Sequence, residues 1–185
     1  MVHLLLLIVL AKTDFVVRCG RKIGMLPPAY HYKGPRILAD KMNAFYERVD
    51  GNVPEGSVIV IGDSLVQGLC VDACRPRCSE IPAVVGFGIG GDTLEGISAR
   101  LRNLKSARAA SGIVVEGGIN DLLQGASDAE FRARYRNLLE HLPNGVPYWG
   151  VLMFPVAEGK WSVSNSRIKA LNDWMRNMLG DRSLT

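Results

Sequence analysis

The sequence predicts an α/β domain: a parallel sheet covered by helices on both faces. Three observations carry that prediction. Four short runs, "SVIVIG", "PAVVGF", "GIVVEGG" and "PYWGVLMF", are rich in valine, isoleucine or aromatic residues and are bounded by glycine or proline. They are apolar almost throughout rather than alternating, as strands buried on both faces are. Amphipathic stretches at helical spacing lie between them, which is the βαβ pattern with right-handed crossovers.

Taken in order, "ILADKMNAFYERV" places Ile37, Leu38, Met42, Phe45, Tyr46 and Val49 at helical spacing, and "DGNVPEG" then reads as a turn into the first strand. A second helix carries the stripe Leu94, Ile97, Leu101 and Leu104. A third carries Phe131, Tyr135, Leu138, Leu139 and Leu142, opened by a capping box from Ser127 to Glu130. The last carries Ile168, Leu171, Trp174, Met175, Met178 and Leu179. Each stripe reads as core packing.

With 185 residues the chain is long enough for one domain with a sizeable core and short for two. Its 48% apolar and 22% charged residues exclude a disordered chain and a polytopic membrane protein. The net charge of +4 is spread along helical stretches such as "ISARLRNLKSAR" and "FRARYRNLL". That is a solvated helix face, and no nucleic-acid-binding signature accompanies it, so no nucleic-acid partner is expected.

Residues 1–34 read as an apolar N-terminal segment and a proline-rich linker, "LPPAYHYKGP", ahead of a domain spanning 35–185. The apolar run Val2–Ala11 is shorter than the roughly 20 residues that span a bilayer and lacks the flanks of a cleaved signal. A membrane-associating segment and an N-terminal helix packed on the domain both remain open, and with them a membrane-associated, exported or cytoplasmic location. Cys70, Cys74 and Cys78 do not match zinc spacing and Pro76 interrupts their helix, so no metal is expected. Free thiols, or a disulfide if the domain is exported, are the alternatives. The oligomeric state is not legible.

Ligands of a parallel α/β sheet bind where the carboxyl ends of the strands meet the following loops. The first such loop is "GDSL", Gly62–Leu65, where Ser64 falls near a helix N-terminus. It is either the cap of that helix or a nucleophile beside unpaired N–H groups. The second is "GFGIGGDT". Gly86, Gly88 and Gly91 there fit the dinucleotide pattern G-x-G-x-x-G, but the nearest strand-end acid, Glu116, comes too late for the ribose ligand. The other reading directs the Gly91 N–H at a developing negative charge. The third loop is "GGIND", whose Asn120 either holds a turn or offers an amide donor to an oxyanion.

Together these blocks resemble the GDSL-type, or SGNH, hydrolases: "GDSL" resembles their first block, "GIGGDT" with the helix ending "ARL" their second, and "GIND" their third. The resemblance covers about residues 57 to 180. It implies a three-layer α/β/α sandwich on a flavodoxin-like parallel sheet and hydrolysis of ester or thioester substrates, including lysophospholipids and acetylated sugars, without metal or organic cofactor. It implies Ser64 as nucleophile, with its own N–H, the N–H of Gly91 and the amide of Asn120 forming the oxyanion hole.

The family's fourth block, D-x-x-H, supplies the base that a serine hydroxyl needs. No such pattern is present, and the chain closes on "NMLGDRSLT". The expectation is therefore a domain lacking its last strand and helix, with an exposed fourth-strand edge and an uncovered sheet face. Loss of a triad base costs around a million-fold, roughly 8 kcal/mol. His141 is expected on the order of 20 Å from the strand ends, at the far end of its helix. His3 belongs to the apolar N-terminus, and the position of His31 is not derivable. The reading is an ester hydrolase of impaired activity, with a catalytically silent acyl- or acetyl-binding module as the alternative and dinucleotide binding as a third.

Overall fold

The computed structural model describes residues 36–69, 81–157 and 159–185. The apolar N-terminal run, the linker, His3, His31 and Cys70, Cys74 and Cys78 lie outside the described residues. Among those described, no helix is long and apolar enough to cross a membrane.

Helix α1 (Arg36–Asp50) leads into β1 (Val58–Gly62), followed by α2 (Ser64–Gly68), β2 (Val84–Gly88), α3 (Leu94–Asn103), β3 (Gly112–Val115), α4 (Ile119–Leu123), α5 (Asp128–Glu140), β4 (Tyr148–Val151), α6 (Asn165–Leu179) and β5 (Ser183–Leu184). The strands form one sheet in the order β2-β1-β3-β4-β5, all neighbours parallel. This is the flavodoxin-like order, whose direction reverses between β1 and β3. Three crossovers step one way along the sheet and one steps the other. Right-handed connections therefore put α3, α5 and α6 on one face of the sheet.

Ile59 and Ile61 of β1, Phe87 of β2 and Ile113 of β3 are fully buried and by register share one face of the sheet, while Val58, Val60 and Val114 on the other face are half-buried. The helices present the expected stripes. Leu94, Ile97 and Leu101 of α3, Phe131, Tyr135 and Leu138 of α5, and Ile168, Leu171 and Met175 of α6 all enter one core. The capping box of α5 is formed, with the Ser127 hydroxyl accepting from the Glu130 N–H and the Glu130 carboxylate accepting from the Ser127 N–H.

One expectation is corrected. The last strand is not missing: Ser183 and Leu184 form β5, in register with Gly150 and Val151, and Leu184 O accepts from Leu152 N at 2.8 Å. A glycine at Gly180 turns the chain out of α6 and back onto the sheet edge. So short a strand, of mixed polarity, carries too little hydrophobic pattern to be recognised. The β4 edge is thus covered along its C-terminal half.

Candidate active site

β1 ends at Gly62, and the space for a side chain there is already taken. A Cβ on Gly62 would stand 2.7 Å from both the carbonyl and the Oε2 of Glu116, and 2.6 Å from a Val66 methyl. Asp63 follows and caps α2, its Oδ1 accepting from Leu65 N at 2.9 Å. Ser64 is therefore not the cap. It is the first residue of α2 and exposed, and no described residue hydrogen-bonds its hydroxyl. The simplest structural explanation for this serine is thereby removed.

β2 runs into the glycine loop at Gly88. A Cβ there would lie 2.2 Å from Gln67 N, so this glycine lets α2 cross against the strand end. That contact accounts for Gly88 without a dinucleotide. Gln67 Oε1 accepts from Gly90 N at 2.8 Å, and the place of a Cβ on Gly90 is 3.8 Å from the Ser64 Cβ. The loop thus lies against the serine. Gly91 adopts φ +77°, a conformation that favours glycine. Neither Gly91 N nor Ser64 N donates to a described acceptor.

Asn120, in α4 beyond β3, joins the two loops. Its Nδ2 donates to Asp63 Oδ2 at 3.0 Å and to the Asp92 carbonyl at 2.9 Å. One side-chain amide thus links the residue before Ser64 to the residue after Gly91. The three positions singled out in the sequence therefore meet at the switch point between β1 and β3, where such sheets bind ligands. Both hydrogens of the Asn120 amide are engaged by these neighbours.

Residues that sequence reasoning missed hold this arrangement. Arg100 of α3 is buried, pairing with the Asp92 carboxylate and donating to Gly62 O at 2.8 Å. Gly96 is required beneath that pair, since a Cβ there would collide with Asp92 Oδ1 at 1.8 Å. Asp121, fully buried, accepts from Leu94 N and from Arg134, both at 2.9 Å, tying the β3 loop to the start of α3. Burial pushes its carboxyl above the ordinary aspartate range, against the lowering pull of those two donors. Arg100 had a legible signal, because it falls on the same helical face as Leu94, Ile97 and Leu101. Asp63 and Asp121 stood inside the quoted motifs without roles.

His141 stands at the C-terminal end of α5, its Nδ1 2.6 Å from Asn137 O and 3.2 Å from Ser98 Oγ, with Arg102 against Nε2. It makes no contact with Ser64, as its place at the far end of the helix implied. Glu116, considered above as a ribose ligand, turns its carboxyl to Asp63 instead, accepting from Asp63 N at 3.2 Å.

A doubly wound parallel sheet, with a serine, a glycine turn and an asparagine joined at its switch point, defines a hydrolase of the α/β/α sandwich class. The family model of the GDSL-like lipase/acylhydrolases matches residues 60–185. The chain belongs to that family of ester hydrolases. Among solved structures, a candidate platelet activating factor from Streptococcus pneumonia superposes with a TM-score of 0.68 at 17% identity, over 80% of this chain and 73% of that one. A GDSL-like lipase from Bacteroides thetaiotaomicron gives 0.59 at 14% identity, over 78% and 75%. The lipase/acylhydrolase from Enterococcus faecalis gives 0.54 at 21% identity, over 69% and 72%. These likenesses bear on the fold. No curated protein matches the sequence.

Proposed function

We propose that the chain cleaves a small carboxylic ester or thioester through attack by Ser64 Oγ, and does so slowly. The observation that carries this reading is the exposed, uncommitted hydroxyl of Ser64, against which the glycine loop lies at Gly90, with the N–H groups of Ser64 and Gly91 given to no described acceptor. Attack on the ester carbonyl forms a tetrahedral intermediate whose oxygen carries the negative charge. Preorganised N–H donors aimed at that oxygen lower the barrier because they need no reorganisation during the reaction. The Asn120 amide is the third donor, and to serve it must share one of the hydrogens now given to Asp63 and Asp92. Collapse of the intermediate expels the alcohol of an ester or the thiol of a thioester and leaves an acyl-serine, which water then hydrolyses.

Slowness follows from the proton. Ser64 Oγ must lose its hydrogen as it attacks, and among the described residues no histidine reaches it, because His141 is held by Asn137 and Ser98. Water is then the acceptor. The test is hydrolysis of p-nitrophenyl acetate, together with mass-spectrometric detection of the acyl-serine. Weak turnover that disappears in Ser64→Ala supports the reading. A rate identical in the two proteins overturns it.

That no histidine among the described residues reaches Ser64 also favours a second reading, a module that holds acyl or acetylated ligands without turnover. Saturable binding of a short-chain acyl ligand with no acyl-serine formed would select it.

A further inference from the structure

We propose that Glu116 is a positioning residue of the hydrolytic site, holding the Asp63–Ser64 turn and the Asn120 amide in place through a carboxyl pressed against Asp63. The inference rests on the hydrolase reading above.

The geometry is tightly determined. Glu116 follows β3 directly, and its own N–H donates to Ile61 O at 2.9 Å, so the sheet ladder fixes its backbone beside the end of β1. Its Oε2 accepts from Asp63 N at 3.2 Å and lies 2.7 Å from where a Cβ on Gly62 would stand. The residue is only 7% exposed. Burying a carboxyl is unfavourable, and a leucine would fill the same space without that cost. The carboxyl has one evident task here, which is to receive the amide that begins the nucleophile turn.

Two buried carboxyl groups therefore meet behind Ser64. Asp63 accepts two hydrogen bonds, from Leu65 N and from the Asn120 amide. Glu116 holds the proton. Burial first, and then the Asp63 charge, push the Glu116 carboxyl up to about 8. The titratable groups acting with it are Asp63 from the β1–α2 turn and Tyr135 from α5. The Tyr135 phenol is raised by burial and in part by Glu116, while the Arg100 guanidinium is spent on Gly62 O and Asp92.

Ionising Glu116 adds a second negative charge behind the turn. That charge draws the Asn120 hydrogens toward Asp63 and opposes the negative charge of a tetrahedral intermediate. The rate, not substrate affinity, should fall.

The experiment follows the Ser64 backbone amide and the Asn120 side-chain amide by 1H–15N spectroscopy from about pH 6 to about pH 10, in the wild type and in Glu116→Gln, which keeps an acceptor but cannot ionise. Both signals should move together in the wild type, with a midpoint near 8, and stay flat in the variant. In parallel, kcat for p-nitrophenyl acetate should decline above that midpoint at unchanged KM in the wild type, and the variant should show no such decline. Should the variant fold poorly, the wild-type titration still decides. Signals that do not titrate, or an equal titration in the folded variant, overturn the proposal. Loss of hydrolysis in all forms with the titration intact would sink the hydrolase reading while upholding the Glu116 coupling.

Discussion

Asn120 and Asp63 are joined by a hydrogen bond of 3.0 Å from the side-chain amide to Oδ2, and through it the loop after β3 is fixed to the turn that carries Ser64. Asp63 is fully buried, and its other oxygen caps α2 through Leu65 N. Replacing Asp63 by alanine removes both acceptors. Loss of a helix cap costs about 1 kcal/mol, and a stranded buried donor about 1–3 more. We expect Asp63→Ala to lose about 2–4 kcal/mol in urea unfolding at an unchanged m-value, together with most acylation of Ser64. A stability loss below about 0.5 kcal/mol would show that the hub is not structural.

Two glycines separate packing from backbone strain. A Cβ on Gly88 would meet the backbone of Gln67 and Val66 at 2.2 and 2.7 Å, and backbone cannot rotate away. Gly88→Ala should therefore push α2 off the sheet end, cost about 3 kcal/mol and weaken acylation of Ser64. Gly125 has φ +89° with nothing within 4 Å of its would-be Cβ. Gly125→Ala should cost only about 1–2 kcal/mol of conformational strain and leave acylation unchanged. Paired thermal melts and labelling rates check the contrast.

Much of this architecture was legible because its signals are local. Valine- and isoleucine-rich runs marked four strands, the stripes of α3, α5 and α6 marked their buried faces, and Ser127 with Glu130 marked where α5 begins. The meeting of Ser64, Gly91 and Asn120 followed from the topology, since parallel strands deliver their following loops to one edge. What escaped was long-range polar packing. Arg100 reaches back 38 positions to Gly62, and Asn120 reaches 57 to Asp63. Periodicity can place Arg100 on a buried helix face, but it names no partner for it, and the same holds for Asn120 in its loop. β5 escaped for another reason: two residues of mixed polarity acquire strand character only from the Gly150–Val151 edge beside them. The serine was ambiguous between cap and nucleophile until Asp63 was seen to cap α2.

The Arg100–Asp92 pair should be costly to break. Its side chains are 4% and 16% exposed, and the same guanidinium satisfies Gly62 O. Removing one partner of a buried pair leaves the other uncompensated, at about 3–5 kcal/mol. Arg100→Met should fall in that range in chemical denaturation. Arg100→Lys should recover part of it, since an ammonium can meet Asp92 but not both acceptors in the same fork geometry. Full recovery by lysine would show that charge alone, rather than the two-sided hydrogen bonding, holds the glycine loop to β1.

Stability should decline as pH rises across the neutral range, and the sign follows from which state holds the proton. Glu116 releases its proton near its ordinary 4.5 when unfolded and near 8 when folded. Between those values the folded state binds more protons, so the stabilisation is fully present below about 4.5 and is lost by about 8. Asp121 is raised in the same direction by burial, so its contribution is also greatest in acid and falls with rising pH. The exposed carboxylates Glu130 and Asp173 are lowered by their hydrogen-bond partners, and their effect runs the other way: present above the ordinary carboxylate range, lost as pH falls through the lowered values. They leave the window from 5 to 8 untouched, so the slope there reports the buried groups. The melting temperature of the wild type should drop from about pH 5 to about pH 8, and Glu116→Gln should flatten most of that drop. An unchanged slope in the variant would assign the dependence to Asp121, and Asp121→Asn would then be the substitution that removes it.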